Sequence, residues 1–270
     1  MAKSSFTKFA YKALQGGRSL AGFAHKELST KVMELIAPEV MPSLEKETPA
    51  LMKDIQESIS TLIELDWKDA EKDIYPKSLL FKAPWIEWAS KYPLIWLDLP
   101  STWKRRKNKK TREIPKKVIK DIYPDYYLQN FHHQTDGYLS DYSASLYDLQ
   151  VEILFNGTAD SMRRRILSPL KEGLEHFKDR KKESLRILDV ATGTGSTLKQ
   201  LRGAFPKSEL LGLDLSDAYL RLASKTLNKS QKTLVQLIRG NAENLPFADE
   251  SMQAITCVFL LHELPPKARQ

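Results

Sequence analysis

From Leu185 onward the sequence alternates short runs of strand character with helical stretches, and this alternation constrains the fold more than any other feature of the chain. The runs are LRILDV (185–190), ELLGLDL (209–215), LVQLIRG (234–240) and QAITCVFL (253–260). Such nearly continuous apolar runs suit strands covered on both faces, and strands joined through helices pair in parallel by right-handed crossovers. The spacing therefore predicts an α/β fold with a parallel sheet, its helices opening after Ser196 and Ser216 as N-caps. Residues 1 to about 120 read instead as helices broken by prolines. In TPALMKDIQESISTLIEL, Thr48 caps, Pro49 opens the first turn, and Ile55, Ile59 and Leu62 make an apolar stripe.

The first strand runs into the turn DVATGTGSTL. A dinucleotide fingerprint reads Gly-x-Gly-x-x-Gly; Gly193 and Gly195 supply two of the glycines, but Leu198 stands at the third, so the match to a pyrophosphate site fails. Asp189 lies at the end of the strand, four residues before Gly193. A carboxylate there repels a pyrophosphate on the helix N-terminus and attracts a ligand bearing an ammonium and a sulfonium, the two cationic groups of S-adenosylmethionine. Asp214 ends the second strand, where an acid accepts hydrogen bonds from ribose hydroxyls.

With those residues, LDVATGTG, LGLDLS and GNAENLPFADESMQAITCVFLLHEL together resemble the cofactor half of the class I S-adenosylmethionine-dependent methyltransferases. The resemblance implies a Rossmann-like sheet, here its first four strands, with S-adenosylmethionine as cofactor. The family's first motif is acid-x-Gly-x-Gly-x-Gly, and this chain has Ala191 at the first glycine. By position, Asp189 would hold the methionine ammonium, with the backbone of Ala191, Thr192, Gly193 and Gly195 approaching the methionine part. Asp214 and Leu215 would take the ribose. Asn241 and Ala242 match the loop that reads adenine, and Glu243 completes it by packing.

Upstream, YDLQVEILFNGTADSMRRR (147–165) is similar to the segment leading into the fold in ubiquinone and menaquinone biosynthesis C-methyltransferases, with Tyr147, Asp148, Leu149, Gly157, Arg163 and Arg164 in register. Tyr147 joins the cofactor set on this basis. The likeness spans Tyr147 to His262 and departs after the fourth strand, where those enzymes continue Gly-Leu-Arg-Asn and this chain has Leu260, Leu261, His262 and Glu263. The first 140 residues have no counterpart there. The division implied is a helical N-terminal extension over 1–125, lid and lead-in helices over 126–184, and an incomplete S-adenosylmethionine-binding domain over 185–270. The family's sheet has seven strands in the order 3-2-1-4-5-7-6, so four strands suggest a piece of a longer enzyme that turns over poorly by itself. Completion by a partner, or a binding module without turnover, are the alternatives.

Methyl transfer is a displacement in which an enzyme contributes alignment, desolvation and, for a weakly acidic acceptor, a base. His262 follows the fourth strand and titrates near neutrality, which makes it the first candidate base, with Glu263 to orient it and a packing role as the alternative. YYLQNFHHQTDGYLSDYS (126–143) offers Tyr127, His132, His133, Gln134 and Tyr138 to line the acceptor site, unless Thr135 to Gly137 is merely a helix-capping turn. His133 and Tyr138 join His262 as catalytic candidates. His132 and His133 are adjacent and cannot both face one metal on a strand, so no metal set is read.

The net charge of +8 comes from one segment: Trp103 to Lys120 holds ten Lys or Arg against one Glu, and it follows a stretch containing Trp85, Trp88 and Trp96. Three explanations stand: a peripheral contact through 81–120 with an anionic membrane, which suits a lipophilic acceptor; a grip on RNA phosphates by an RNA methyltransferase; or a helical core followed by a solvated loop. No RNA-binding module motif is present, so nucleic acid ranks below membrane. Residues 1–26 are basic without an acid, as in a transit peptide, a surface-seeking helix or a plain first helix. The single cysteine, Cys257, excludes an internal disulfide, and no apolar run reaches the ~18 residues of a membrane span. A cytoplasmic methyltransferase acting on a small phenol or quinone-like acceptor is expected, with membrane association or an organelle as variants.

Overall fold

The computed structural model of the chain describes residues 2–41, 49–179, 181, 184–228 and 235–269; Thr48 and Leu234 lie outside them. The strands β1 (Arg186–Val190), β2 (Glu209–Asp214), β3 (Gln236–Arg239) and β4 (Ala254–Cys257) form a parallel sheet in the order β3-β2-β1-β4. This is an α/β Rossmann-like fold. Leu188 sits opposite Leu211 on one side and Ile255 on the other, while Asp214 is paired with Arg239. Asp189 and Asp214 thereby come to the same carboxyl edge of the sheet, where ligands of open α/β folds bind.

The helices are α1 (Ala2–Ile36), α2 (Pro49–Glu71), α3 (Trp85–Lys107), α4 (Asp141–Leu154), α5 (Ala159–Arg164), α6 (Leu167–Leu174), α7 (Ser196–Ala204) and α8 (Asp217–Asn228). The reading of the first 120 residues as helices broken by prolines is corrected in α3, where Pro93 and Pro100 lie inside one helix. Each removes a backbone donor, yet Ile95 packs on Leu146 and Leu149 of α4 and Trp103 on Met33 and Val40, so tertiary burial carries the helix across both. Residues 108–119 form no regular element. Ser196 is also not the cap of α7: Gly195 holds that position at φ +81°. Ser216 does cap α8, its hydroxyl accepting from the Tyr219 amide, and Ser140 rather than the 135–137 turn caps α4.

One hydrophobic core joins Tyr11 of α1 and Trp67 of α2 to Leu167, Ile187, Leu198 and Leu210 around the sheet. At its centre is a buried polar knot. Arg164 of α5 grips Asp66 of α2 with Nε on Oδ1 at 2.8 Å and a second nitrogen on Oδ2 at 2.6 Å, and the hydroxyls of Tyr11 and Tyr75 donate to the same carboxylate. Burial pushes the Asp66 carboxyl up, but the guanidinium and the hydroxyls outweigh it and hold it below the usual range.

The tryptophans of the aromatic stretch are engaged within the chain. Trp103 is buried, Trp96 stacks edge-on with His25 and Tyr92, and the Arg18 guanidinium lies over Trp85 and Trp88 while pairing with Glu152. Arg105, in the basic run, is itself buried, its Nε donating to the His133 carbonyl at 2.9 Å. No described helix is long and apolar enough to cross a membrane.

Candidate functional site

The turn after β1 has a conformation that explains its composition. Ala191, Gly193 and Gly195 all have positive φ, at 56°, 56° and 81°. A Cβ on Gly195 would stand 3.0 Å from Leu227 and 3.3 Å from Ala223, so this glycine lets α7 approach α8 closely. A Cβ on Gly193 would meet only the Tyr219 ring, at 3.9 Å. Gly193 thus faces open space above the loop, whereas Gly195 serves packing. The loop is clamped from outside by Asp148 of α4, whose Oδ1 accepts from the Thr194 hydroxyl at 2.8 Å and the Ser196 hydroxyl at 3.0 Å.

Both strand-end acids are buried. Asp189 is 1% exposed; its Oδ1 accepts from Thr256 at 2.7 Å and its Oδ2 has no hydrogen-bond partner among the described residues. Burial pushes its carboxyl up to about 7, against the opposing pull of the Thr256 and Thr192 hydroxyls. Asp214 accepts from the amides of Gly193 at 2.7 Å and Ser216 at 2.8 Å, and burial raises it to about 6 in spite of them. A buried carboxylate oxygen left unpaired costs free energy that a cationic ligand would recover.

In front of the loop lies a pocket roofed by aromatic rings. Tyr138, Tyr147, Ala191, Gly193, Asp214, Leu215, Asn241 and Ala242 line it, as do Tyr127 and Phe131. Tyr138 stacks on Phe131 at 4.9 Å and meets Tyr147 and Tyr219 edge-on. Burial holds the phenols of Tyr127, Tyr138 and Tyr219 well above their usual value, so they are neutral donors. The free volume is about 100 Å³, below the ~300–1,000 Å³ of ligand pockets, so the rings must part to admit a cofactor.

Other residues singled out in the sequence stand outside this lining. Asp189 and Thr192 are buried behind the loop, and Gly195 is the α7 cap. Glu243 is exposed and accepts from Tyr126 at 2.5 Å and Asn241 at 3.0 Å, which bridges the 126–127 turn to the loop after β3. Gln134 is buried and donates to Tyr219 at 2.9 Å, a structural tie. His133 sits on a left-handed backbone, φ +60°, with its Nδ1 buried and unpartnered among the described residues, and burial lowers its pKa. His262 is more than half exposed.

Glu263 is the group that reaches the pocket, and its Oε1 gathers three neighbours: the Tyr138 hydroxyl at 2.9 Å, His132 Nε2 at 2.6 Å and His262 Nε2 at 3.1 Å. Burial works to raise its carboxyl, but the His132 contact and the other two leave it below the ordinary range. Sequence reasoning missed this convergence, together with the roles of Asp148 and Tyr219; Asp148 stood out only as a position in the motif matched upstream.

Residues 187–270 match the methyltransferase domain family. A demethylmenaquinone methyltransferase of Thermotoga maritima is 36% identical over 45% of this chain and 47% of its own length. One of Deinococcus radiodurans is 34% identical over 43% and 44%, and the ubiquinone/menaquinone biosynthesis C-methyltransferase UbiE of Methylobacterium nodulans 27% over 45% and 46%. The chain spans just under half the length of these relatives.

Proposed function

We propose, from the premise that residues 187–270 carry a class I methyltransferase segment close to the quinone-biosynthesis group, that the protein binds S-adenosylmethionine along the β1 turn and methylates a small aromatic acceptor. The observation that carries the proposal is Asp189, a buried strand-end carboxylate with one oxygen unpartnered among the described residues, directly behind a left-handed glycine turn. The residues present fit the cofactor. Asp189 faces the methionine ammonium, directly or through water, and an ammonium there would draw the carboxyl back to its ionised form. The backbone of Ala191, Thr192 and Gly193 leaves room for the methionine chain, with Gly195 setting the angle of α7. Asp214 and Leu215 hold the ribose, Asn241 and Ala242 flank the adenine with Glu243 bracing their loop, and Tyr147 closes the pocket from α4.

The cofactor supplies an electrophilic methyl group; alignment and exclusion of water fall to the chain. Tyr127, Phe131 and Tyr138 form an apolar, flat-walled slot that suits a phenol or quinone-like ring, and a lipophilic acceptor would enter by displacing them. At its end, the Tyr138 hydroxyl and the Glu263 carboxylate offer a donor and an acceptor to fix the acceptor's oxygen. Catalytic positioning therefore centres on Tyr138 and Glu263, with His262 acting through Glu263 and His133 outside. Calorimetric titration of S-adenosylmethionine into the wild type and Asp189→Asn tests the assignment: one-site binding that the variant loses supports it, and equal binding by both refutes it.

A further inference from the structure

We propose that His132, His262 and Glu263 form a site for a divalent first-row transition cation at the mouth of the aromatic pocket. The three ligand atoms lie within 4.8 Å of one another. His132 Nε2 is 2.6 Å and His262 Nε2 3.1 Å from the same Glu263 oxygen. Ligands bound at ~2.0–2.1 Å in tetrahedral geometry stand roughly 3.3 Å apart. The His132 contact thus has to open by under about 1 Å to seat an ion, and the histidines to draw together.

Each ligand is held in place by the backbone that carries it. His132 sits on a left-handed residue, φ +52°, inside the one-turn helix Phe131–His133. The amide of Glu263 bonds the Leu260 carbonyl at 2.9 Å, a turn that follows left-handed Phe259 and brings two consecutive side chains to one side. Adjacent residues on a strand would point oppositely; the turn is what lets His262 and Glu263 share one site. The Tyr138 hydroxyl donates to Glu263 at 2.9 Å, the outer-shell support that ligating carboxylates receive.

Two imidazoles and one carboxylate select a borderline ion such as Zn²⁺, Co²⁺ or Fe²⁺ over Mg²⁺ or Ca²⁺, and three protein ligands leave open positions. The histidines are each more than half exposed while Glu263 is 12% exposed and lines the pocket, so an ion enters from solvent and is held at the pocket's mouth through Glu263. Resting on the methyltransferase reading, the ion would take the acceptor's hydroxyl oxygen and lower that hydroxyl's pKa. The O–H proton leaves to water at the rim, and the oxygen's electron pair stays on the metal-bound oxygen as the nucleophile.

The test is titration of Zn²⁺ into the metal-free chain by calorimetry, with Co²⁺ as a spectroscopic probe. One equivalent of Zn²⁺ should bind, Co²⁺ should give visible d–d bands, and His132→Ala, His262→Ala and Glu263→Gln should each weaken binding by about tenfold or more. Tyr138→Phe should weaken it less, and His176→Ala, on a distant exposed residue, should leave it unchanged. Absence of saturable one-to-one binding, or binding that the ligand variants keep, overturns the site. S-adenosylmethionine affinity and far-ultraviolet dichroism are read in the same variants, so a failed cofactor assignment or a misfolded variant is distinguished from a failed metal site.

Discussion

Ala191 occupies the position where the turn's geometry asks for a glycine, with φ +56°, and Ala191→Gly tests whether the loop is held there by the fold rather than by its own preference. An L-residue in the left-handed region carries ~1–2 kcal/mol that glycine does not. The added freedom of glycine in the unfolded chain takes back ~0.4–1 kcal/mol. Ala191 is only half-buried, so little packing is lost with its methyl. The balance is a gain of about 0.5–1 kcal/mol, or a rise in melting temperature of about 1–4 °C for a chain of this size. Ala191→Val should move the other way, since a β-branched residue is disfavoured at positive φ. Urea and thermal unfolding followed by circular dichroism read both. If Ala191→Gly lowers stability, or valine is tolerated as well as alanine, the turn does not have the conformation described and the site built on it falls.

Asp189 carries a carboxyl raised to about 7, above its unfolded value, so its ionisation opposes folding as pH rises from about 4 through 7. Asp189→Asn should stabilise the ligand-free protein at pH 8 by on the order of 2–4 kcal/mol, with the difference vanishing toward pH 4; a gap independent of pH would be the contrary result in denaturation curves. For the same reason S-adenosylmethionine affinity should rise about tenfold from pH 6 to pH 8, measured by calorimetry, as the ligand's cation draws on the ionised form. Asp66→Asn unpairs Arg164 in the core and should cost about 3–5 kcal/mol in urea unfolding; a change below 1 kcal/mol would dissolve the polar knot as a structural element. Asp148→Ala removes the clamp on Thr194 and Ser196 and should cost about 2–3 kcal/mol while weakening cofactor binding, both read in one titration series.

The sheet was legible because strand and helix alternate with different periods; the four strands took the parallel direction that alternation implies and the order that the family resemblance implies. Strand-end acids were legible for the same reason, since the last one or two residues of a parallel strand fix what sits at the sheet's carboxyl edge. Local signals failed where packing overruled them. Pro93 and Pro100 break helices in isolation, but here they are bridged by the burial of Ile95 and Trp103. Ser196 looked like a cap until the backbone of Gly195 took that place. Asp148, 46 positions from Thr194, and Glu263, 131 positions from His132, meet their partners through tertiary folding alone, and nothing in local spacing encodes that.

The most direct test of the central claim is calorimetric titration of S-adenosylmethionine into the wild-type chain and Asp214→Ala. The account predicts one site with a dissociation constant on the order of 1–100 µM, in the range of working substrate affinities, and no detectable binding in the variant. Unchanged binding in Asp214→Ala, or none in the folded wild type, would contradict it.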